Sequence, residues 1–294
     1  MEAPNPSAIP TAASRAPVHI GAVGMMVHDL DRLTAYYRDM LGLTVQERTR
    51  EVATLGVGGV ALLELIHRPD TLADDPREAG LYHIAFLMPT RADLARWILH
   101  AAKTRVPISG ASDHDVSEAI YLDDPEGNGV EVYSDRPRER WLRDGKLIFQ
   151  KTDALDIDDI TREINPRTAT YPSAPEGLRI GHIHLRVGNV ARAEEFYRGA
   201  LGLDVTRRRP GASFLSSGDY HHHVAVNVWH SNGAGIRNPQ RTGLDWFVME
   251  VNDKQTAEGV RRRLDEAGVT IDAIRGGFAA RDPWGTSIRF TIRP

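Results

Sequence analysis

The sequence predicts an α+β fold made of four βαβββ units. Three observations predict it: the chain is internally duplicated, each half divides again, and every resulting unit shows the same order of hydrophobic periods. The duplication is read from "LTAYYRDMLGLTV" (33–45) against "AEEFYRGALGLDV" (193–205), where Tyr37-Arg38 and Tyr197-Arg198 each precede a Leu-Gly-Leu. The turn "DPEGNG" at 124–129 has a counterpart in "DPWGTS" at 282–287, and "GLYHIAF" at 80–86 one in "GLDWFVM" at 243–249. Self-similarity at a fixed period is a statement about architecture before any single element is assigned.

The elements follow in order. "MEAPNPSAIPTAASRA" is rich in Pro, Ala and Ser and reads as a loose tail over 1–16. Each unit then opens with a strand: "IGAVGMMV", "LYHIAFLM", "IGHIHLRV" and "LDWFVMEV". A helix comes next, as in "LDRLTAYYRDMLG" and "RADLARWILHAAKT", where apolar residues recur every three to four positions. Short strands of alternating pattern close each unit, ending in "GVALLELI", "GNGVEVYS", "HHVAVNVW" and "TSIRFTI". The units span roughly 17–67, 80–134, 178–231 and 243–294. The expected divisions are an N-terminal domain at 17–135, a connector at 136–177 and a C-terminal domain at 178–294. The connector matches no unit and holds one helix-like stretch at 154–164.

Composition narrows the function classes. A formal charge of −4 and a pI near 6.3 offer no field for nucleic acid or an anionic membrane. No apolar run reaches the roughly 18–20 residues of a membrane span. The opening segment has neither a basic n-region nor an apolar h-region, so no secretory signal is expected. With 0 cysteines there is no thiolate ligand or nucleophile, and a cytoplasmic location is expected. The 12 histidines are the residues to place.

Four βαβββ units carrying these motifs resemble the vicinal oxygen chelate superfamily of glyoxalases, bleomycin-resistance proteins and extradiol dioxygenases. Over about 20–294 the chain is similar to its two-domain, catechol-2,3-dioxygenase-like members. The resemblance implies that paired units curl mixed sheets into cups, with metal ligands on the first and last strand of each unit. Those places hold Ala22 and Glu64 in unit one, and His83 and Glu131 in unit two. They hold His182 and Asn227 in unit three, and Trp246 and Arg289 in unit four. The family's usual pattern draws two His and one carboxylate from units three and four. Unit four here has neither, while unit two supplies one His and one Glu. The implied ligand set is therefore His83, Glu131 and His182, with units two and three forming the active cup and units one and four its ligand-poor counterpart. His184 shares a strand face with His182 and competes with it.

The resemblance also implies an acid–base histidine before the last strand of unit three. "YHHHVAV" offers His221, His222 and His223, of which His222 aligns best. It implies a His and a Tyr in the partner unit, here His114 and Tyr121. The expected cofactor is Fe(II), with Mn(II) accepting the same donors, and dioxygen is the co-substrate. The expected substrate is a small aromatic diol of catechol or hydroquinone type, cleaved by a homo-oligomer. Two rival readings remain: a metal-dependent glyoxalase- or epimerase-like isomerase, and a metal-free binding protein. Bland readings stand beside each residue as well. A lone strand histidine is ordinarily packed or solvated, His114 can turn the chain, and Tyr121 can simply fill the sheet.

Overall fold

The computed structural model describes residues 11–293. Unit one comprises β1 (Val18–Val27), α1 (Leu30–Leu41), β2 (Thr44–Arg48), β3 (Val52–Val57) and β4 (Val60–His67). Unit two comprises β5 (Gly80–Leu87), α2 (Arg91–Thr104), β6 (Gly110–Asp113), β7 (Ser117–Asp123) and β8 (Gly129–Asp135). The connector carries a hairpin, β9 (Arg143–Asp144) and β10 (Leu147–Ile148), then helix α3 (Ile157–Thr161). Unit three comprises β11 (Arg179–Arg186), α4 (Val190–Glu194), β12 (Asp204–Arg209), β13 (Ala212–Ser216) and β14 (Val224–Asn227). Unit four comprises β15 (Gly243–Val251), α5 (Lys254–Glu266), β16 (Ile271–Ile274), β17 (Gly277–Arg281) and β18 (Ser287–Ile292).

The same local chemistry starts each main helix. Asp29, Thr90, Asn189 and Asp253 accept the backbone N–H three residues on, which satisfies a donor the helix leaves unpaired. The Leu-Gly-Leu motifs end two of them: Gly42 and Gly202 sit at φ 73° and 79°, where a side chain would be strained. Helix α4 departs from its counterpart α1 by widening into a π-helical turn at Glu195–Ala200.

Within a unit the first strand runs parallel to the last, and the other neighbours are antiparallel. Two mixed sheets of 8 strands result. One has the order β16-β17-β18-β15-β1-β4-β3-β2 and joins units one and four. The other, β12-β13-β14-β11-β5-β8-β7-β6, joins units two and three. First strands meet antiparallel at each centre, β1 with β15 and β11 with β5. The divisions at 17–135 and 178–294 thus mark the duplicated halves, while each sheet takes one unit from each half.

The repeat motifs hold the two sheets together. Tyr37 of α1 donates to Asp124 in the unit-two turn at 2.9 Å, and Tyr197 donates to Asp282 in the unit-four turn at 3.0 Å. Both pairs are buried, and a continuous apolar core surrounds them with residues from all four units. Burial pushes both aspartates up from the usual carboxylate range, against the hydrogen bonds that favour their charged forms. Each Asp also accepts two backbone N–H groups of its own turn.

The expected loose tail at 1–16 needs correction at its end. Residues 1–10 lie outside the described residues. Ala13–Arg15 forms a 3₁₀ turn whose Ala13 and Ser14 are buried, and the Ala13 carbonyl accepts a hydrogen bond from His223 Nε2 at 3.0 Å.

Candidate metal centre

Strand alternation sends inward-facing residues of β5, β8 and β11 to one place. His83 Nε2 lies 3.0 Å from Glu131 Oε2, and His182 Nε2 lies 3.2 Å from the same oxygen. The two imidazole nitrogens are 3.3 Å apart. All three side chains are buried, and among the described residues they form the one His/Asp/Glu group whose donor atoms converge this closely. Metal–ligand bonds of roughly 2.1 Å at right angles would place three neighbouring donors about 3.0 Å apart. The triangle therefore fits one face of an octahedral ion. Two imidazole nitrogens facing one another beside a shared carboxylate oxygen are otherwise hard to satisfy. Burial keeps His182 neutral, its pKa pulled down to about 4 against the attraction of Glu131. Burial works against the Glu131 carboxylate, but the two imidazoles beside it hold it well below its usual range. Two imidazoles and one carboxylate are the donor set a divalent ion needs.

The triangle forms the floor of a cavity of about 440 Å³, also lined by His114, Tyr121 and His222. That is room for a small aromatic ligand. His184 lines it too, fully buried, but its Nε2 is taken by the Asn227 side-chain amide at 3.0 Å. That bond commits its Nε2, while its ring stands edge-on to His83 with 4.9 Å between centroids. Gly181 explains the close packing behind His182: a Cβ there would collide with the Tyr133 hydroxyl.

Hydrogen bonds fix the orientation of the remaining groups. His221 Nε2 donates to Asp135 Oδ1 at 2.9 Å, and in a neutral ring that makes Nδ1 the acceptor. His222 Nδ1 must then donate to His221 Nδ1, 2.8 Å away, which leaves His222 Nε2 with its lone pair. Of the three consecutive histidines, His222 alone lines the cavity; His223 points to Ala13 on the other side. Burial and the neighbouring imidazoles push His222 well below the usual histidine range, so the ring is neutral. On the far wall, His114 Nδ1 donates to the Lys151 carbonyl at 2.9 Å. In a neutral ring its Nε2 then accepts from the Tyr121 hydroxyl at 2.8 Å. Burial and the Glu131 charge raise Tyr121 well above the usual phenol range, so it keeps its proton.

The counterpart places in the other sheet are filled differently. Trp246 packs on Gly24, where a Cβ would collide with the indole. The Arg289 guanidinium stacks over the Trp246 ring, 3.8 Å from its centroid. Glu64 is partly buried; burial raises its pKa, and Arg289 opposes the rise. Indole and guanidinium thus occupy the positions equivalent to His83 and Glu131.

Sequence reasoning missed Asp135, and also Gln150, Thr152, Arg207 and Arg209, which line the cavity rim. The repeat carries no signal for the connector residues, which have no counterpart in any unit. His221 stands out in the sequence as one of three consecutive histidines, but nothing there marks Asp135 as its partner.

The model of the glyoxalase/bleomycin resistance protein/dioxygenase superfamily matches residues 19–132 and 179–290. The chain belongs to this superfamily. Within it the chain is catechol-2,3-dioxygenase-like: it is 34% identical to the catechol-2,3-dioxygenase of Bacillus subtilis (strain 168) over 281 residues. That alignment covers 93% of this chain and 97% of the relative. Solved structures share the superfamily fold at low identity. One from Bacillus subtilis subsp. subtilis str. 168, described as a proposed dioxygenase, superposes with a TM-score of 0.64 at 14% identity, covering 94% of this chain and 85% of the other. Glyoxalase I from Zea mays gives 0.54 at 18% identity, covering 95% of this chain and 93% of the other.

Proposed function

We propose that this protein is an extradiol dioxygenase that opens the ring of a catechol- or hydroquinone-type diol. The observation that carries the reading is the His83–Glu131–His182 triangle on the floor of a cavity whose walls hold an oriented base and an oriented phenol. His83, His182 and Glu131 would hold Fe(II), or Mn(II), which takes the same donors. When bound, the ion supplies chelation of both diol oxygens, a lowered pKa for them and a place for dioxygen beside the ring.

The chain's own residues supply the proton handling. His222 Nε2, unprotonated and facing the cavity, takes a proton from the diol and returns it later to the leaving oxygen. Its Nδ1–H stays committed to His221, so the proton is exchanged at Nε2 alone. Tyr121 presents its oxygen to the cavity as an acceptor while its O–H is held by His114. Burial of the triangle excludes bulk water and strengthens each of these interactions. The two-imidazole, one-carboxylate set favours this reading over a glyoxalase- or epimerase-like isomerase, which uses more carboxylates.

Oxygen uptake by Fe(II)-loaded protein under a panel of catechols and hydroquinones tests the proposal. Uptake tied to one diol with a yellow ring-opened product is expected, and it should vanish in His222→Ala. Bound metal without uptake for any diol would instead favour an isomerase.

A further inference from the structure

Three consecutive arginines end β12, and they are treated differently. Arg208 faces away from the cavity and forms a two-pronged ion pair with Glu194, both contacts 2.8 Å. Arg207 and Arg209 share the opposite strand face and line the cavity. Among the described residues, neither has a carboxylate within ion-pair distance. Arg207 Nη1 donates to the neutral Gln150 Oε1 at 3.2 Å, and Arg209 Nη1 to the Thr152 hydroxyl at 3.1 Å. Both acceptors come from the connector, which runs over the rim.

Holding two guanidiniums side by side without a counter-charge is unfavourable, more so for one that is partly buried. Burial and the neighbouring Arg209 lower Arg207 to about 10, so it remains charged at neutral pH. The acids nearby do not neutralise the pair. Asp115 acts on Arg207 from a distance but is paired with Lys151 at 3.1 Å. Asp123 lines the cavity without approaching either guanidinium to ion-pair distance. Glu131 is committed to the two histidines. The Phe214 ring lies under Arg207, 5.9 Å from its Cζ, and keeps the guanidinium extended over the cavity.

The geometry points to an anion subsite at the rim: Arg207 and Arg209 receive a carboxylate carried by the aromatic substrate, on the ring or on a short side chain. The substrate class is thus an acidic aromatic diol, with its oxygens toward the His83–Glu131–His182 floor and its carboxylate toward the connector. A planar guanidinium fork matches a carboxylate's two oxygens, and two forks on alternate strand residues present donors to one group. This orientation rests on the ring-cleavage reading; the subsite itself does not need metal.

Calorimetric titration of metal-free protein with 3,4-dihydroxybenzoate and with 4-methylcatechol tests it, since the probes differ at the acidic group. The acid is expected to bind about tenfold tighter or more, the scale of a charge-assisted hydrogen bond. Arg207→Gln and Arg209→Gln should each reduce that preference by about tenfold. Arg208→Gln, on the far face, should retain it. Equal affinity for the two probes, absence of binding by either, or a preference untouched in both cavity-facing variants would overturn the subsite. Oxygen uptake by the Fe(II)-loaded protein separates the two readings. Cleavage of neutral diols with no preference for the acid leaves ring opening and removes the subsite. A retained, arginine-dependent preference with no uptake removes ring opening and leaves the subsite.

Discussion

One carboxylate outside the cavity, Asp135, decides which nitrogen of His222 carries the proton. It accepts from His221 Nε2, and that sets both tautomers in turn. An amide at this position can donate instead, which reverses the chain and puts a proton on His222 Nε2. Asp135→Asn is therefore expected to lower kcat about tenfold to hundredfold while KM changes little. Iron content should match the parent, and a variant with unchanged kcat would remove Asp135 from the account. At this scale the sequence told part of the story. His83, Glu131 and His182 were legible because the family resemblance points to the first and last strand of each unit, where strand alternation lets inward residues converge. Arg207 and Arg209 were not, because charges near a strand end read as solvated. Their environment depends on the path of a connector that no repeat describes.

The element that resisted reading is the connection between β13 and β14. Three histidines closely follow Asp219, which adopts φ 60°, so the two-residue period of a strand fails there. Alternation could not say which ring faces the cavity, and long-range bonds to Asp135 and Ala13 decide it. His223 shows the consequence for stability. Its Nε2–H donates to Ala13, while Nδ1 accepts from the Ser217 N–H and lies 3.0 Å from the Ser216 hydroxyl. Burial lowers the pKa to about 3 against the hydrogen bond to Ala13, and a second proton would also face the Ser217 donor. The unfolded chain takes that proton near pH 6.5, the folded one near pH 3. Between those values the unfolded state binds more protons, so stability falls as pH falls. Urea unfolding at pH 7, 6 and 5 should show the decline, and His223→Gln should flatten it by up to about 1.4 kcal/mol per pH unit. An unchanged slope would mean His223 titrates alike in both states.

Across the whole molecule, the duplication was legible because its motifs do fixed structural jobs: helix ends at Gly42 and Gly202, and buried Tyr–Asp bonds between the sheets. Which unit pairs with which followed from the loss of ligands in unit four, and the sheet order agrees. One sheet keeps a converging set of donors. The other fills the same places with Trp246 and Arg289, a stacked cation that leaves no donor set for an ion. The convergence of His83, Glu131 and His182 makes a single metal site across the two halves of the chain the expected arrangement. Iron content after anaerobic Fe(II) loading and desalting tests it most directly, with thermal unfolding to confirm that each variant folds. One iron per chain is predicted, lost in each of His83→Ala, Glu131→Ala and His182→Ala and retained in Arg289→Ala. Iron retained in folded His83→Ala or His182→Ala protein would contradict the cross-half site.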